Sequence, residues 1–133
     1  MLIVVPDDLP LVRADPGLLE RVFANLFSNA LRHSPPGMRP MLRAKEDGDR
    51  VVIDVVDHGA GVPAGLKERI FEPFARLDER SPGVGLGLAV AKGFAEAMGG
   101  AIVAIDTPRG GLTVRVTMPA LTSDVPAVLG ADQ

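Results

Sequence analysis

Apolar residues recur with helical spacing along one stretch, at Leu19, Val22, Phe23, Leu26, Phe27 and Ala30. At about 100° per residue they cover one continuous arc. Asn25, Asn29 and Arg32 fall together on a second arc at its edge, and His33 lies between the two. This pattern predicts a long amphipathic helix. Asp15 can cap its free N–H groups, and Pro16 suits its first position. Ser34-Pro-Pro-Gly37 ends it, because proline cannot continue a helix. Two carboxamides and a guanidinium then border the core. They form either a pocket wall or a solvated polar flank.

The rest of the chain alternates between strand and turn signals. Residues 3–5 and 11–13 read as short extended pieces. Residues 39–46 and 51–57 flank Asp47-Gly48-Asp49, a hairpin signal, and the β-branched run 51–56 predicts a central strand. Residues 63–70 suggest a short helix, 71–80 an irregular segment, and 89–98 a second amphipathic helix ended by Gly99-Gly100. Two further strands, 101–106 and 112–118, are joined by a turn over 107–111. Residues 121–133 are small, polar and aperiodic, the pattern of a disordered tail. The expected fold class is α+β, a two-layer α/β sandwich with helices on one face of a mixed sheet, formed by residues 1–120.

The totals narrow the function classes. A length of 133 residues fits one domain with a sizeable core. A net charge of −3 without a basic tract disfavours nucleic acid as a partner. The absence of cysteine excludes a disulfide framework and a thiolate metal site. No apolar run approaches the roughly 18 residues of a membrane span, and no leader pattern opens the chain, so a soluble cytoplasmic chain is expected.

Three motifs follow the helix. In Asp57-x-Gly59-x-Gly61 a carboxylate at a strand end can accept a hydrogen bond from an exocyclic amine. The glycines beside it let the backbone approach a flat ring. The plain alternative is a turn after a strand. Gly83-x-Gly85-x-Gly87 precedes a helix, where backbone N–H groups can bind phosphate oxygens. A flexible loop with a helix cap would look the same. Phe71 and Phe74 around Glu72-Pro73 read as core anchors or as the hinge of a lid, with Arg76 as a mobile positive charge or a plain surface arginine.

Each motif is weak alone, and their order is the stronger signal. NLFSNALRHS, DHGAGVP, IFEPFARLD and GVGLGLAVAKGFAEAMGG resemble, in sequence and order, the four boxes of the ATP-binding catalytic domain of sensor histidine kinases. This is the Bergerat-type fold shared with gyrase, Hsp90 and MutL. The resemblance runs from about residue 12 to 119 and is most like KdpD-type potassium-sensing kinases. It implies that Asn29 is the Mg²⁺ ligand and that Arg32 approaches the phosphates. Asn25 stands where hydrolysing relatives carry a glutamate. An amide cannot act as a base there, which agrees with phosphoryl transfer and not with efficient hydrolysis. His33 stands where many members have tyrosine against the adenine. Asp57 would accept from the adenine amine, with Gly59, Gly61 and Val62 beside the ring and Thr113 below it. Residues 74–82 would form the ATP lid, with Phe71 and Phe74 at its base and Arg76 reaching the γ-phosphate. Gly83, Val84, Gly85, Leu86 and Gly87 would present backbone to the phosphates, and Leu88 would anchor that loop.

The resemblance also implies partners: a histidine-bearing dimerisation domain of the parent kinase and a response regulator. The parent is expected to be an inner-membrane kinase, with this chain its cytoplasmic catalytic domain. His33 and His58 both lie within the site motifs and neither is followed by an acidic residue, so the phosphoacceptor histidine is missing. The chain is expected to bind ATP and Mg²⁺ and not to autophosphorylate alone. The alternatives are an anti-sigma-factor serine kinase and a non-catalytic nucleotide-binding module of the same fold.

Overall fold

The computed structural model describes residues 2–4, 14–73 and 87–120. Among them, one sheet has the order β1-β2-β3-β5-β4. Its strands are β1 (Leu2–Val4), β2 (Met41–Asp47), β3 (Arg50–Val56), β4 (Ala101–Asp106) and β5 (Leu112–Pro119). β1 runs parallel to β2, and the other pairings are antiparallel. The sheet is therefore mixed, and the β-branched strand β3 lies at its centre as expected. Asp47 pairs with Arg50, so the hairpin turn is Gly48-Asp49, one residue shorter than the sequence suggested. Gly48 has φ +62°, which suits the first position of a two-residue hairpin turn.

Helix α1 spans Pro16–His33. Asp15 Oδ1 accepts from Gly17 N at 2.9 Å and Leu18 N at 3.1 Å, satisfying donors that the helix leaves free. Ser34 closes the other end, its backbone N–H and hydroxyl both donating to the Ala30 carbonyl. Helix α2 (Gly87–Ala97) begins two residues earlier than its apolar pattern suggested. It ends with Gly99 N donating to Glu96 O and Gly100 N donating to Ala95 O, the paired bonds of a glycine C-terminal cap.

The helix expected over residues 63–70 is instead two 3₁₀ turns, Ala64–Leu66 and Arg69–Phe71. A segment this short, holding Pro63 and Gly65, cannot offset the cost of nucleating an α-helix. It forms single i→i+3 bonds, such as Leu66 N to Pro63 O at 2.9 Å. The second turn still delivers Ile70 and Phe71 into the core.

That core lies between the helices and one sheet face. It joins Val22, Leu26 and Ala30 of α1, Leu88, Ala91 and Ala95 of α2, Val55 of β3 and the alternate β5 residues Leu112, Val114, Val116 and Met118. The period of two along β5 matches a strand with one face against helices. Phe23 and Phe27 pack at its margin, with ring centroids 6.0 Å apart. No helix among the described residues is long and apolar enough to cross a membrane.

The opposite sheet face carries a charged row. Arg43, Asp54 and Arg115 are cross-strand neighbours on β2, β3 and β5. Arg115 donates to both Asp54 oxygens, at 2.8 and 3.0 Å, and Arg43 donates at 3.2 Å. Burial alone would raise the Asp54 pKa. The hydrogen bonds and charges of Arg115, and then of Arg43, outweigh it and hold the carboxyl below its ordinary 3.8. The same hydrogen bond outweighs burial to raise Arg115, helped by the charges of Asp54 and Asp47. A depressed carboxyl stabilises the fold fully above its unfolded pKa and loses that contribution as pH falls through the folded value. Asp54→Asn is therefore expected to cost about 1–3 kcal/mol at neutral pH. The deficit should shrink below about pH 4. Urea melts of both proteins at pH 7 and pH 3 check this.

Candidate functional site

Asp57, the residue after β3, is the hub of the site. Its backbone N–H donates to Leu112 O at 2.9 Å, extending the β3–β5 ladder by one step. Its Oδ1 accepts from Gly59 N at 2.9 Å and Leu112 N at 3.0 Å. Its carbonyl accepts from the Thr107 hydroxyl at 3.0 Å, and that hydroxyl lies 3.0 Å from the Thr113 hydroxyl. Asp57, Thr107 and Thr113 are all buried. Oδ2 of Asp57 has no protein donor among the described residues. One carboxylate oxygen fixes the loop, and the other remains an acceptor for something else.

Two glycines allow this convergence. A Cβ on Gly59 would stand 2.0 Å from the His33 carbonyl oxygen, so this loop lies backbone against backbone on the end of α1. A Cβ on Gly111 would stand 2.1 Å from the Asp57 carbonyl oxygen, and its φ of +112° is one that side chains rarely adopt. Gly61, also at positive φ, lies beside Gly111. The end of α1, the loop after β3 and the β4–β5 turn thus meet at one place.

The sequence pattern set Asn25, Asn29 and Arg32 together at the edge of the core, and the structure separates them. Asn29 is 3% exposed, and its Oδ1 is buried without a hydrogen-bond partner among the described residues. Asn25 is half-buried and donates from Nδ2 to the Gly87 carbonyl at 3.0 Å, tying α1 to the first residue of α2. Arg32 and His33 are exposed in the last turn of α1. Leu88 and Phe71 are core residues, and Val62 packs against that core. Phe74, Arg76, Gly83, Val84, Gly85 and Leu86 lie outside the described residues, as do the expected lid and the 121–133 tail.

The start of α1 and the end of α2 share a cleft lined by Ala14, Asp15, Ala97, Met98 and Pro119. With Asn25 beside Gly87, this sets the helices antiparallel. The cleft lies at the other end of both helices and holds none of the expected site residues. At the opposite end Asn25 meets Gly87, the first residue of α2, and the N-terminus of a helix favours an anion.

A buried amide oxygen with no donor suits a hard cation. Mg²⁺ takes few protein oxygens and completes its shell with phosphates and water. Among the described residues no three His, Asp or Glu side chains cluster as a self-sufficient metal site. Asn29 Oδ1 fits as a single oxygen donor to such an ion.

Sequence reading missed Thr107 and Gly111, which hold Asp57 in place, and Lys67, treated below. Thr107 is 50 residues from Asp57. Its one signal was its place at a strand end before proline, a turn position like many others.

Residues 14–122 match the family of histidine kinase-, DNA gyrase B- and HSP90-like ATPases, and the chain belongs to that family. Within it, the sensor protein KdpD of Rathayibacter rathayi is 50% identical over 118 residues, covering 87% of this chain and 14% of that protein. The mycobacterial sensor histidine kinase MprB superimposes with a TM-score of 0.77 at 30% identity, covering 90% of this chain and 80% of that one. Full-length ShkA in complex with AMPPNP gives 0.78 at 33% identity, covering 92% of this chain and 26% of that one. The α+β sandwich and the resemblance to sensor-kinase catalytic domains, with KdpD among the relatives, both hold. The chain spans about 14% of the length of the KdpD relative.

Proposed function

We propose that this chain binds ATP with Mg²⁺ and donates the γ-phosphate to a histidine on a separate dimerisation domain of a two-component sensor kinase. The observation that carries this reading is the buried Oδ1 of Asn29, unpartnered among the described residues, one turn along α1 from the Asn25 contact with Gly87. Asn29 would hold the Mg²⁺, which neutralises phosphate charge when bound. Asp57 would accept from the adenine amine through the oxygen that its loop leaves free. Gly59 and Gly61 keep the loop backbone open to a flat base, and Thr113 supports the floor. The Asn25 carboxamide holds the start of α2 against α1 and cannot abstract a proton from water, which favours transfer over hydrolysis. Arg76 and the residue 83–86 backbone would act on the phosphates. AMPPNP, held by the structural relative ShkA, is a nucleotide of the kind this reading requires.

The parent would be a membrane-anchored kinase of KdpD type, sensing potassium or osmotic state and passing phosphate to a response regulator. This chain would be its cytoplasmic catalytic domain. His33 and His58 lie in the site, and no acid follows either, so the chain alone should remain unlabelled by γ-labelled ATP. Adding the cognate dimerisation domain should give an acid-labile label on that domain. Stoichiometric acid-labile label on the chain alone, or binding with no transfer in the mixture, would overturn the assignment.

A further inference from the structure

Lys67 lies between the two 3₁₀ turns with only 19% of its side chain exposed. Its ammonium is 3.3 Å from the Val62 carbonyl oxygen and 3.0 Å from Asp106 Oδ1. Val62 is the far end of the loop that starts at Asp57. Asp106 ends β4, next to Thr107, whose hydroxyl holds the Asp57 carbonyl. The loop is therefore fastened to the β4–β5 hairpin twice. Its near end is held by Thr107 and Leu112, and its far end by the Lys67–Asp106 pair.

Stability alone does not account for this arrangement. Asp106 is 72% exposed, and an ion pair with so exposed a partner contributes little to folding. Ordering a long lysine stem carries one of the larger side-chain entropy costs. What Lys67 does supply is the hydrogen bond to the loop's far end. Among the described residues, no other bond reaches the backbone of Ala60, Gly61 or Val62.

We propose that Lys67 is a positioning residue for the nucleotide base. It clamps the Asp57–Val62 loop at its far end, so that the free Asp57 oxygen and the glycine backbone keep the spacing a flat ring requires. This rests on the ATP reading above and adds a determinant of base affinity outside the four sequence boxes.

The test is a calorimetric titration of a non-hydrolysable ATP analogue with Mg²⁺ into the 133-residue chain, well below its melting temperature. Lys67→Met, Asp106→Asn and the double variant are compared with the unaltered chain. Lys67→Met should raise Kd about fivefold. Asp106→Asn is the discriminating variant, and its exposed position tolerates substitution. It removes a negative charge near an anionic ligand, so Coulomb attraction alone predicts tighter binding. A clamp predicts binding weaker by about two- to threefold, with the double variant no worse than Lys67→Met. Unchanged or tighter binding by Asp106→Asn, or an unchanged Kd for Lys67→Met, would overturn the clamp and leave the ATP reading standing. If the unaltered chain does not bind the analogue, the ATP reading falls and the clamp falls with it.

Discussion

Replacing Asn29 with leucine is expected to abolish Mg²⁺-dependent nucleotide binding while holding or raising the stability of the nucleotide-free domain. Asn29 is 3% exposed, and its Oδ1 has no donor among the described residues. A buried polar atom left unpaired costs about 1–3 kcal/mol, and an apolar side chain of similar volume removes that cost. Leucine here would extend the apolar arc of Val22, Leu26 and Ala30. A gain of about 1 kcal/mol corresponds to a rise of roughly 4–8 °C in Tm for a domain of about this size. Loss of supporting groups around a metal ligand typically costs about 10–100-fold in affinity, so losing the ligand itself should exceed about 100-fold. Scanning calorimetry without nucleotide and titration with the analogue, each with and without Mg²⁺, read the two effects separately. A lower Tm with Mg²⁺-dependent binding intact would mean that Asn29 is an ordinary packing residue. The expected trade of stability against function is the mark of a site that keeps an unsatisfied group for its ligand.

The legibility of this chain divides along sequence distance. α1 was readable to its ends because its signals are local: apolar residues at i, i+3 and i+4, an Asp-Pro start, a Ser-Pro-Pro stop. The asparagine edge was read only in part: the helical pattern put Asn25, Asn29 and Arg32 on one arc bordering the core, whereas Asn29 is buried and Arg32 is exposed in the last turn. Short segments were read less well. Residues 63–70 carry too few turns for periodicity to separate an α-helix from 3₁₀ turns, and packing of Ile70 and Phe71 decided the outcome. Contacts that fasten the site from far along the chain were not visible. Thr107 and Gly111 look like turn residues until the β3–β5 pairing brings them to Asp57. Lys67 looks like a surface charge until the hairpin brings Asp106 to it. The sequence therefore names the groups that would touch a ligand, and the topology names those that hold them.

Asp57→Asn should separate the two tasks of one carboxylate. Oδ1 accepts from Gly59 N and Leu112 N, and an asparagine carbonyl can do the same. Because hydrogen bonds to a charged acceptor are stronger than those to a neutral one, the fold should lose about 1–2 kcal/mol and remain assembled. The other oxygen becomes an NH₂ group. It would face the adenine amine donor to donor, whereas the guanine carbonyl would meet a partner. A site built to pair with a polar group rejects a base that leaves that group unpaired, so ATP affinity should fall by about 100-fold or more, and GTP should lose far less or gain. Asp57→Ala is the informative contrast. It leaves the Gly59 and Leu112 N–H groups without an acceptor in a buried place, at about 1–3 kcal/mol each, so stability and both nucleotides should be lost together. Melting curves and competition titrations with ATP and GTP distinguish the two variants. If Asp57→Asn keeps its preference for ATP, the free carboxylate oxygen does not face the base, and the polarity of the pocket must be set by the Thr113 side of its floor.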